Sequence, residues 1–391
     1  MNDRDLALLK RTFRAGSDYE LLPFERLTAA EQLPLDGLRS RPDFYGVLVP
    51  REGSGRTVKA VGKDTALLWL TLTAPGRLPL FACQGELHQV AAAVSELLLD
   101  GVLEVEHEGE FVGGPRAAKL LVGPTTAGSV GTLARLSLEA LRHGAALGLD
   151  RPDGPRGLAG RLYAYHRQPL TPGWARRVPD RAAALALLAP AGGSVRAGLE
   201  SRWEVADADA MPGWIAFTPQ RSEASQRRPG SYKLYVSPEP EALPAAFGVV
   251  VERLARGAAQ PFKVGADAQG FLRPDKMVLY FGDLESVLAA ASELTGGLAE
   301  LPPHGVPFTA EIALDGLLSW GMDPPRSERL VAWDERESWR VWVVKRLAAA
   351  LLGGREGDAE MPPWRFALER LRREGVDVDR WTPSTTLWHA A

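Results

Sequence analysis

Short runs of mostly apolar residues predict β-strands in the C-terminal half of the chain. They lie at 232–236, 261–265 and 277–281. Three longer stretches predict helices between and after these strands, at 240–259, 284–294 and 334–352. Asp334 is expected to start the last helix, and the glycines at 353 and 354 to end it. The pattern predicts an α+β fold in which these helices cover a small mixed β-sheet.

The N-terminal part shows a helix followed by a hairpin. Residues 86–99 have the apolar spacing of an amphipathic helix, and 102–106 and 110–112 predict two strands. This order resembles a winged-helix module, but its acidic hairpin disfavours contact with phosphates and favours a structural or peptide-binding role. A plain helix–hairpin packing unit is the alternative. Composition shifts suggest three parts: a recognition module (1–150), a connecting segment (151–220) and an α+β domain (221–391).

Composition disfavours several classes of function. The net charge of −3 offers no basic field for nucleic acid. Cys83 is the single cysteine and the six histidines are scattered, so no disulfide or metal site is expected. Phosphate-binding loops and dinucleotide glycine motifs are missing, which predicts no cofactor. No apolar run reaches about 18 residues, and no signal-peptide core follows the charged N-terminus. We therefore expect no membrane span and a cytoplasmic location.

Two of the predicted strands each carry one lysine, Lys233 and Lys263. Lysine is depleted in strands and is rarely buried without a partner. Arg273 and Lys276 follow on a turn, and the polar segment before the first strand contains Arg228. These cations suggest an anion site, with Arg273, Lys276 and Arg228 as phosphate ligands. Alternatively, both lysines lie on a solvated sheet face and pair with nearby carboxylates.

A lysine in such a cluster can also act as a base. Neighbouring cations and partial burial lower the pKa of a lysine, and the neutral amine can then take a proton from a Cα atom. The remaining cations would stabilise a departing phosphate. Lys233 and Lys263 are the candidate catalytic lysines. His304 is the candidate acid, and His166 is the alternative.

Six short motifs follow one another in the C-terminal half and cover about a third of the chain. They are Lys233–Val236, Pro261-Phe262-Lys263-Val264, Arg273-Pro274-Asp275, Val278–Phe281, Val306–Thr309 and Ser319-Trp320-Gly321. Their order resembles the HopA-type family of type III secretion effectors. Trp320 stands where the family usually has phenylalanine. Lys263 follows Phe262 directly, without the family's intervening residue, so the resemblance leaves open which sheet face it occupies.

The resemblance implies a phosphate-eliminating function. HopA-like proteins occur in thioviridamide-type and class V lanthipeptide pathways, beside a kinase-like protein that phosphorylates a precursor peptide. The implied activity is that of a phosphoserine/phosphothreonine lyase, which makes dehydroamino acids in a ribosomally made peptide. The alternative is a non-catalytic module that binds a peptide or protein, either as an effector or as the recognition partner of a modifying enzyme.

Overall fold

The computed structural model describes residues 7–52, 58–122, 131–148, 154–207, 209, 211–220, 231–257, 259–313, 315–324, 337–355 and 357–383. The strands are β1 Phe13–Ala15, β2 Tyr19–Pro23, β3 Phe44–Pro50, β4 Lys59–Gly62, β5 Leu103–His107, β6 Glu110–Val112, β7 Trp203–Val205, β8 Trp214–Pro219, β9 Tyr232–Val236, β10 Phe262–Gly265, β11 Met277–Phe281, β12 Ala310–Glu311, β13 Leu318–Met322, β14 Val376–Asp377 and β15 Thr382–Pro383.

The α-helices are α1 Ala29–Gln32, α2 Lys63–Thr71, α3 Leu87–Leu99, α4 Gly114–Leu121, α5 Thr132–Gly148, α6 Gly154–Ala164, α7 Pro172–Arg177, α8 Arg181–Leu188, α9 Ser194–Arg202, α10 Leu243–Arg256, α11 Ala268–Phe271, α12 Leu284–Leu298, α13 Trp339–Gly353 and α14 Pro363–Arg373. Short 3₁₀ turns lie at Phe24–Arg26, Leu33–Leu38, Leu80–Cys83 and Pro240–Ala242.

A seven-stranded sheet organises the C-terminal part of the molecule, in the order β12-β13-β9-β11-β10-β8-β7. The α+β class expected from the sequence is confirmed. The sheet differs from the expected mixed one, because every pairing between its described strands is antiparallel. The two lysine-bearing strands are not neighbours: β9 and β10 each pair with β11, which lies between them. The boundary proposed at residue 220 stays a prediction, but this sheet crosses it through β7 and β8.

The two faces of this sheet have different roles, because side chains alternate along each strand. On one face, residues such as Phe217, Leu234, Phe262 and Leu279 pack beneath helices α8, α9, α10 and α12. The predicted helices at 240–259 and 284–294 are confirmed, with α10 preceded by the 3₁₀ turn Pro240–Ala242. The intervening residues of the strands form the opposite face, which carries the lysines and is called the lysine face below.

Helix α13 packs against the lysine-face side of the sheet. It begins at Trp339, later than predicted, because Ser338 is the N-cap and accepts a hydrogen bond from the Val341 amide. The predicted start at Asp334 lies outside the described residues. A Cβ atom at Gly321 would lie 2.7 Å from Trp339 Cδ1, so this glycine lets the indole pack against β13. The first turn of α13 is thereby held beside the sheet.

The N-terminal part contains two three-stranded sheets, β2-β3-β4 and β1-β5-β6. The predicted helix and hairpin are present as α3 followed by β5 and β6. The winged-helix detail is not confirmed. Glu104 of the acidic hairpin is buried, and it accepts hydrogen bonds from Arg14 and Ser17. Over the described ranges, no helix is both long and apolar enough to cross a membrane.

Candidate active site

Lys233 and Lys263 lie on the same face of the sheet. In the antiparallel register, Lys233 is opposite Tyr280 and Lys263 is opposite Val278, and residues 278 and 280 share one face of β11. Both ammonium groups lie over the Tyr280 ring, with the Nζ atoms 5.7 Å (Lys233) and 5.8 Å (Lys263) from its centroid. The short spacing between Phe262 and Lys263 therefore does not turn Lys263 away from Lys233.

Lys263 occupies an unusual environment for a lysine. Its Nζ atom lies 4.1 Å from the centroid of the Trp214 ring. No carboxylate of the described residues reaches ion-pair distance from it. Burial lowers the pKa of Lys263 to about 8, and the nearby charge of Lys233 acts in the same direction. A fraction of Lys263 is thus a neutral amine at neutral pH, as a general base requires.

Lys233 is held by a carboxylate. Its Nζ atom lies 2.5 and 2.7 Å from the two carboxylate oxygens of Asp323, and both side chains are largely buried. Asp323 also accepts a hydrogen bond of 3.0 Å from the Trp339 amide at the start of α13. This carboxylate therefore links the lysine face to the helix beside it.

A second ion-pair cluster surrounds Asp275, which is 4% exposed. Its carboxylate accepts from Arg273 Nε (2.9 Å) and from the Tyr163 hydroxyl (2.7 Å), and it lies 3.0 Å from a terminal nitrogen of Arg340. Burial alone would raise the pKa of Asp275, but the Arg340 and Arg273 guanidiniums outweigh it and hold that pKa well below its usual range. Burial raises the pKa of Tyr163 to about 12, so its hydroxyl keeps its proton.

Cations and aromatic rings alternate along this site. The Arg273 guanidinium lies 4.6 Å from the Trp214 centroid and 5.9 Å from that of Tyr163, and the Arg340 guanidinium lies 4.3 Å from the Tyr163 centroid. We call the series the cation–aromatic ladder, and in order its members are Lys233, Tyr280, Lys263, Trp214, Arg273, Tyr163 and Arg340. Carboxylates bind Lys233, Arg273 and Arg340, whereas the described contacts of the Lys263 ammonium group are with the Trp214 and Tyr280 rings.

Lys276 and His304 form a separate buried pair. Lys276 is fully buried, and its Nζ atom donates to the Pro238 carbonyl (2.7 Å) and contacts His304 Nδ1 (2.5 Å). The other ring nitrogen of His304 lies 2.6 Å from the His166 carbonyl. Because a carbonyl only accepts, we assign the ring proton to Nε2 and the acceptor role to Nδ1. Burial, reinforced by Lys276, lowers the pKa of His304 to about 3, so the imidazole is neutral.

The site residues expected from the sequence thus divide into three groups. Lys233, Lys263 and Arg273 come together in the ladder. Lys276 and His304 do not join them, because their polar groups are used within the buried pair. Arg228 lies outside the described residues.

Sequence reasoning missed four of the site's side chains: Trp214, Tyr163, Asp323 and Arg340. One signal pointed to Arg340, since α13 is apolar around it and yet contains this arginine in its first turn. Within the described ranges, no group of three histidine, cysteine, aspartate or glutamate side chains is arranged to hold a metal ion.

Comparison with known proteins gives distant structural likenesses only. No family model matches the chain, and no curated protein matches it. An effector protein from Pseudomonas syringae pv. tomato strain DC3000 aligns at 14% identity and a TM-score of 0.41, over 64% of this chain and 98% of the effector. An effector from Pseudomonas syringae pv. syringae strain 61 aligns at 14% identity and 0.39, over 66% and 99%. The type III effector and phosphothreonine lyase OspF from Shigella flexneri aligns at 14% and 0.27, over 44% and 93%.

The two Pseudomonas neighbours are effector proteins, and the HopA-type family that the motifs resemble is also a family of effectors. The thioviridamide and lanthipeptide setting stays a prediction. At these identities and TM-scores we infer function from the residues of the site.

Proposed function

We propose that this protein is a phosphoserine/phosphothreonine lyase, which removes phosphate from a peptide by β-elimination and leaves a dehydroamino acid. The observation that carries the proposal is Lys263: a half-buried amine with a lowered pKa, flanked by cations and bound by no carboxylate of the described residues. A base that must take a weakly acidic Cα proton needs a pKa near the working pH. A surface lysine paired with a carboxylate would not meet that requirement.

The charge of the site suits a phosphate monoester. Among the described residues, the ladder contains four cations, and two carboxylates, Asp275 and Asp323, are bound to them. The net charge is therefore +2 when Lys263 is protonated and +1 when it is neutral. A phosphoserine or phosphothreonine carries about −1.5 to −2 at pH 7. Arg273, whose side chain is 24% exposed, binds Asp275 through Nε and one terminal nitrogen. Its other terminal nitrogen has no bonding partner among the described residues and can donate to a phosphate oxygen.

The reaction can be written with these groups alone. Neutral Lys263 takes the Cα proton, the electron pair forms the Cα–Cβ double bond, and the Cβ–O bond breaks. The departing oxygen needs a proton, and we assign its donation to the Lys233 ammonium, so that hydrogen phosphate leaves. Arg273 stabilises the charge that develops on the phosphate. His304 is not given the acid role here, because both of its ring nitrogens are engaged in the buried pair.

We further propose that the substrate is a ribosomally made precursor peptide, phosphorylated by a kinase-like partner. The reason is that the sequence resembles HopA-like proteins, which accompany such kinases in thioviridamide-type and class V lanthipeptide pathways. The reaction itself also requires a supplier of phosphorylated serine or threonine, which is the role of a kinase.

Mass spectrometry tests the proposal. Phosphoserine and phosphothreonine peptides incubated with the protein should lose about 98 Da, the mass of phosphoric acid, whereas a phosphatase would remove about 80 Da. Lys263→Met should abolish the loss, and Lys63→Met, at an exposed lysine of α2, should leave it unchanged. Saturable peptide binding without any mass change in the folded wild-type protein would refute the lyase and favour the binding module.

The pH profile gives a second test. Because the free amine of Lys263 is the reactive form, kcat/KM should rise with pH and level off above a pKa of about 8. A bound phosphate dianion favours the protonated lysine, so the corresponding pKa in the profile of kcat should be higher. A profile that is flat from pH 6 to 9 would contradict the role of Lys263 as base.

A further inference from the structure

The Trp214 indole contacts two cations of like charge. Lys263 Nζ lies 4.1 Å from its centroid and the Arg273 guanidinium carbon lies 4.6 Å from it. Both cations are partly buried, and Trp214 itself is 8% exposed. Two like charges repel each other more strongly in a partly buried environment than in water, because the effective dielectric constant is lower. The negative face of an aromatic ring attracts cations, so one indole can offset part of this repulsion.

The backbone brings Arg273 to this ring through a close contact between two glycines. Trp214 of β8 is opposite Gly265 at the end of β10. A Cβ atom at Gly265 would lie 2.4 Å from the carbonyl carbon of Gly270, so the turn of α11 packs directly on the strand at this point. The chain then reaches Arg273 three residues later. Glycine at position 265 therefore allows the chain to place the Arg273 side chain on the lysine face, against the Trp214 ring.

The charged groups around Lys263 come from several elements. Lys233 of β9 and Arg273 before β11 disfavour its ammonium form, whereas Asp275 and Asp323 favour it. Neither carboxylate is in ion-pair contact with Lys263; they bind Arg273 and Lys233 instead. The closest attractive contact that the described residues offer the ammonium group is the Trp214 ring.

We propose that Trp214 is a positioning residue whose indole face holds Lys263 and Arg273 side by side in the candidate site. What the held lysine does rests on the proposed lyase function, but the holding itself does not. The alternative is that Trp214 only fills space on the lysine face. The positioning role and the space-filling role predict different changes in the pKa of Lys263 when the ring is removed.

The test measures the ionisation of Lys263 directly. The full-length protein is labelled with acetic anhydride across a range of pH, and mass spectrometry quantifies acetylation of the peptide that contains Lys263. Trp214→Leu removes the ring, and Trp214→Phe keeps an aromatic group of weaker attraction. Trp203→Phe is the matched control, because Trp203 is a buried strand residue of the same sheet that packs against Phe262 on the opposite face.

Loss of the indole should lower the pKa of Lys263 by about 0.5 to 1.5 units in Trp214→Leu, because the ammonium form loses its cation–π contact. Trp214→Phe should give a smaller decrease, and Trp203→Phe no resolvable one. An unchanged or raised pKa in Trp214→Phe, which preserves the packing best, would overturn the proposal. A decrease in Trp203→Phe as large as that in Trp214→Phe would also overturn the proposal.

A phosphopeptide assay on the same variants separates the two proposals. If the lyase function is correct, the pKa in the profile of kcat/KM should fall together with the labelling pKa. If the wild-type protein removes no phosphate while the labelling pKa still falls in the Trp214 variants, the positioning role stands and the lyase function fails. If phosphate is eliminated but labelling is insensitive to the ring, the positioning role fails alone.

Discussion

The Asp275 cluster makes the most direct prediction about stability. Asp275→Asn keeps the shape of the side chain but removes its charge, which leaves Arg273 and Arg340 without a shared carboxylate. The Arg340 side chain is 1% exposed and that of Asp275 is 5% exposed. Breaking a buried ion pair by removing one partner costs about 3 to 5 kcal/mol. We expect a loss of that size in the free energy of unfolding, measured by urea denaturation followed by circular dichroism.

The chain supplies a matched control with the same local sequence. Arg41-Pro42-Asp43 repeats the tripeptide Arg273-Pro274-Asp275, and Arg41 contacts Asp43 through the same two donor atoms. Both distances in the control are 3.3 Å, and its side chains are more than 60% exposed. Exposed pairs contribute little to stability. Asp43→Asn should therefore leave the unfolding curve nearly unchanged.

The same variant should change how stability depends on pH. The pKa of Asp275 is lower in the folded state than in the unfolded chain, where it is about 3.9. Its contribution is therefore present above that value and is lost as the pH falls below it. Wild type should lose stability from about pH 5 downward more steeply than Asp275→Asn. Equal losses in Asp275→Asn and Asp43→Asn, or identical acid sensitivity in wild type and Asp275→Asn, would refute this account of the cluster.

Three further substitutions test other parts of the structure. Lys233→Met should lower kcat/KM on a phosphopeptide at least about 100-fold, because the proton donor to the leaving phosphate is lost; an unchanged value would exclude Lys233 as the acid. Gly321→Ala should destabilise the protein by about 1 to 3 kcal/mol in urea, because the added methyl group meets the Trp339 indole; no change would contradict this packing. Burial lowers the pKa of Lys276 to about 7 from about 10.4 in the unfolded chain, so wild-type stability should rise between these values. Lys276→Met should remove part of that rise, and an unaltered slope would argue against a buried lysine with a lowered pKa.

Local patterns predicted several elements of the C-terminal part but not which strands are neighbours in the sheet. Apolar runs predicted β9, β10 and β11, and helix periodicity predicted α10 and α12. The order of strands depends on pairing between distant segments, which no local pattern encodes. β11 therefore lies between the two lysine strands, and β7 and β8 extend the same sheet.

The residues of the candidate site also come together through contacts between distant segments, which the local sequence does not encode. The three Arg-Pro-Asp tripeptides in the sequence, at 41, 151 and 273, are identical as text. Burial distinguishes the copy at 273 from the one at 41, and the copy at 151 lies outside the described residues. Arg340 reaches Asp275 from a helix that begins 64 residues later in the chain. Lys276 and His304 were expected at the site from their residue types. Only the fold shows that their polar groups contact each other in a separate buried pair.

Removal of the Cα proton by Lys263 is the central claim, and competition between isotopes tests it most directly. Equal amounts of a phosphothreonine peptide with hydrogen or deuterium at Cα are mixed with the wild-type protein, and the mass and isotopic content of the product are followed. We predict loss of about 98 Da with faster consumption of the hydrogen form, and no product with Lys263→Met. Loss of about 80 Da with both forms consumed equally would show cleavage of the P–O bond without proton abstraction, and would contradict the account.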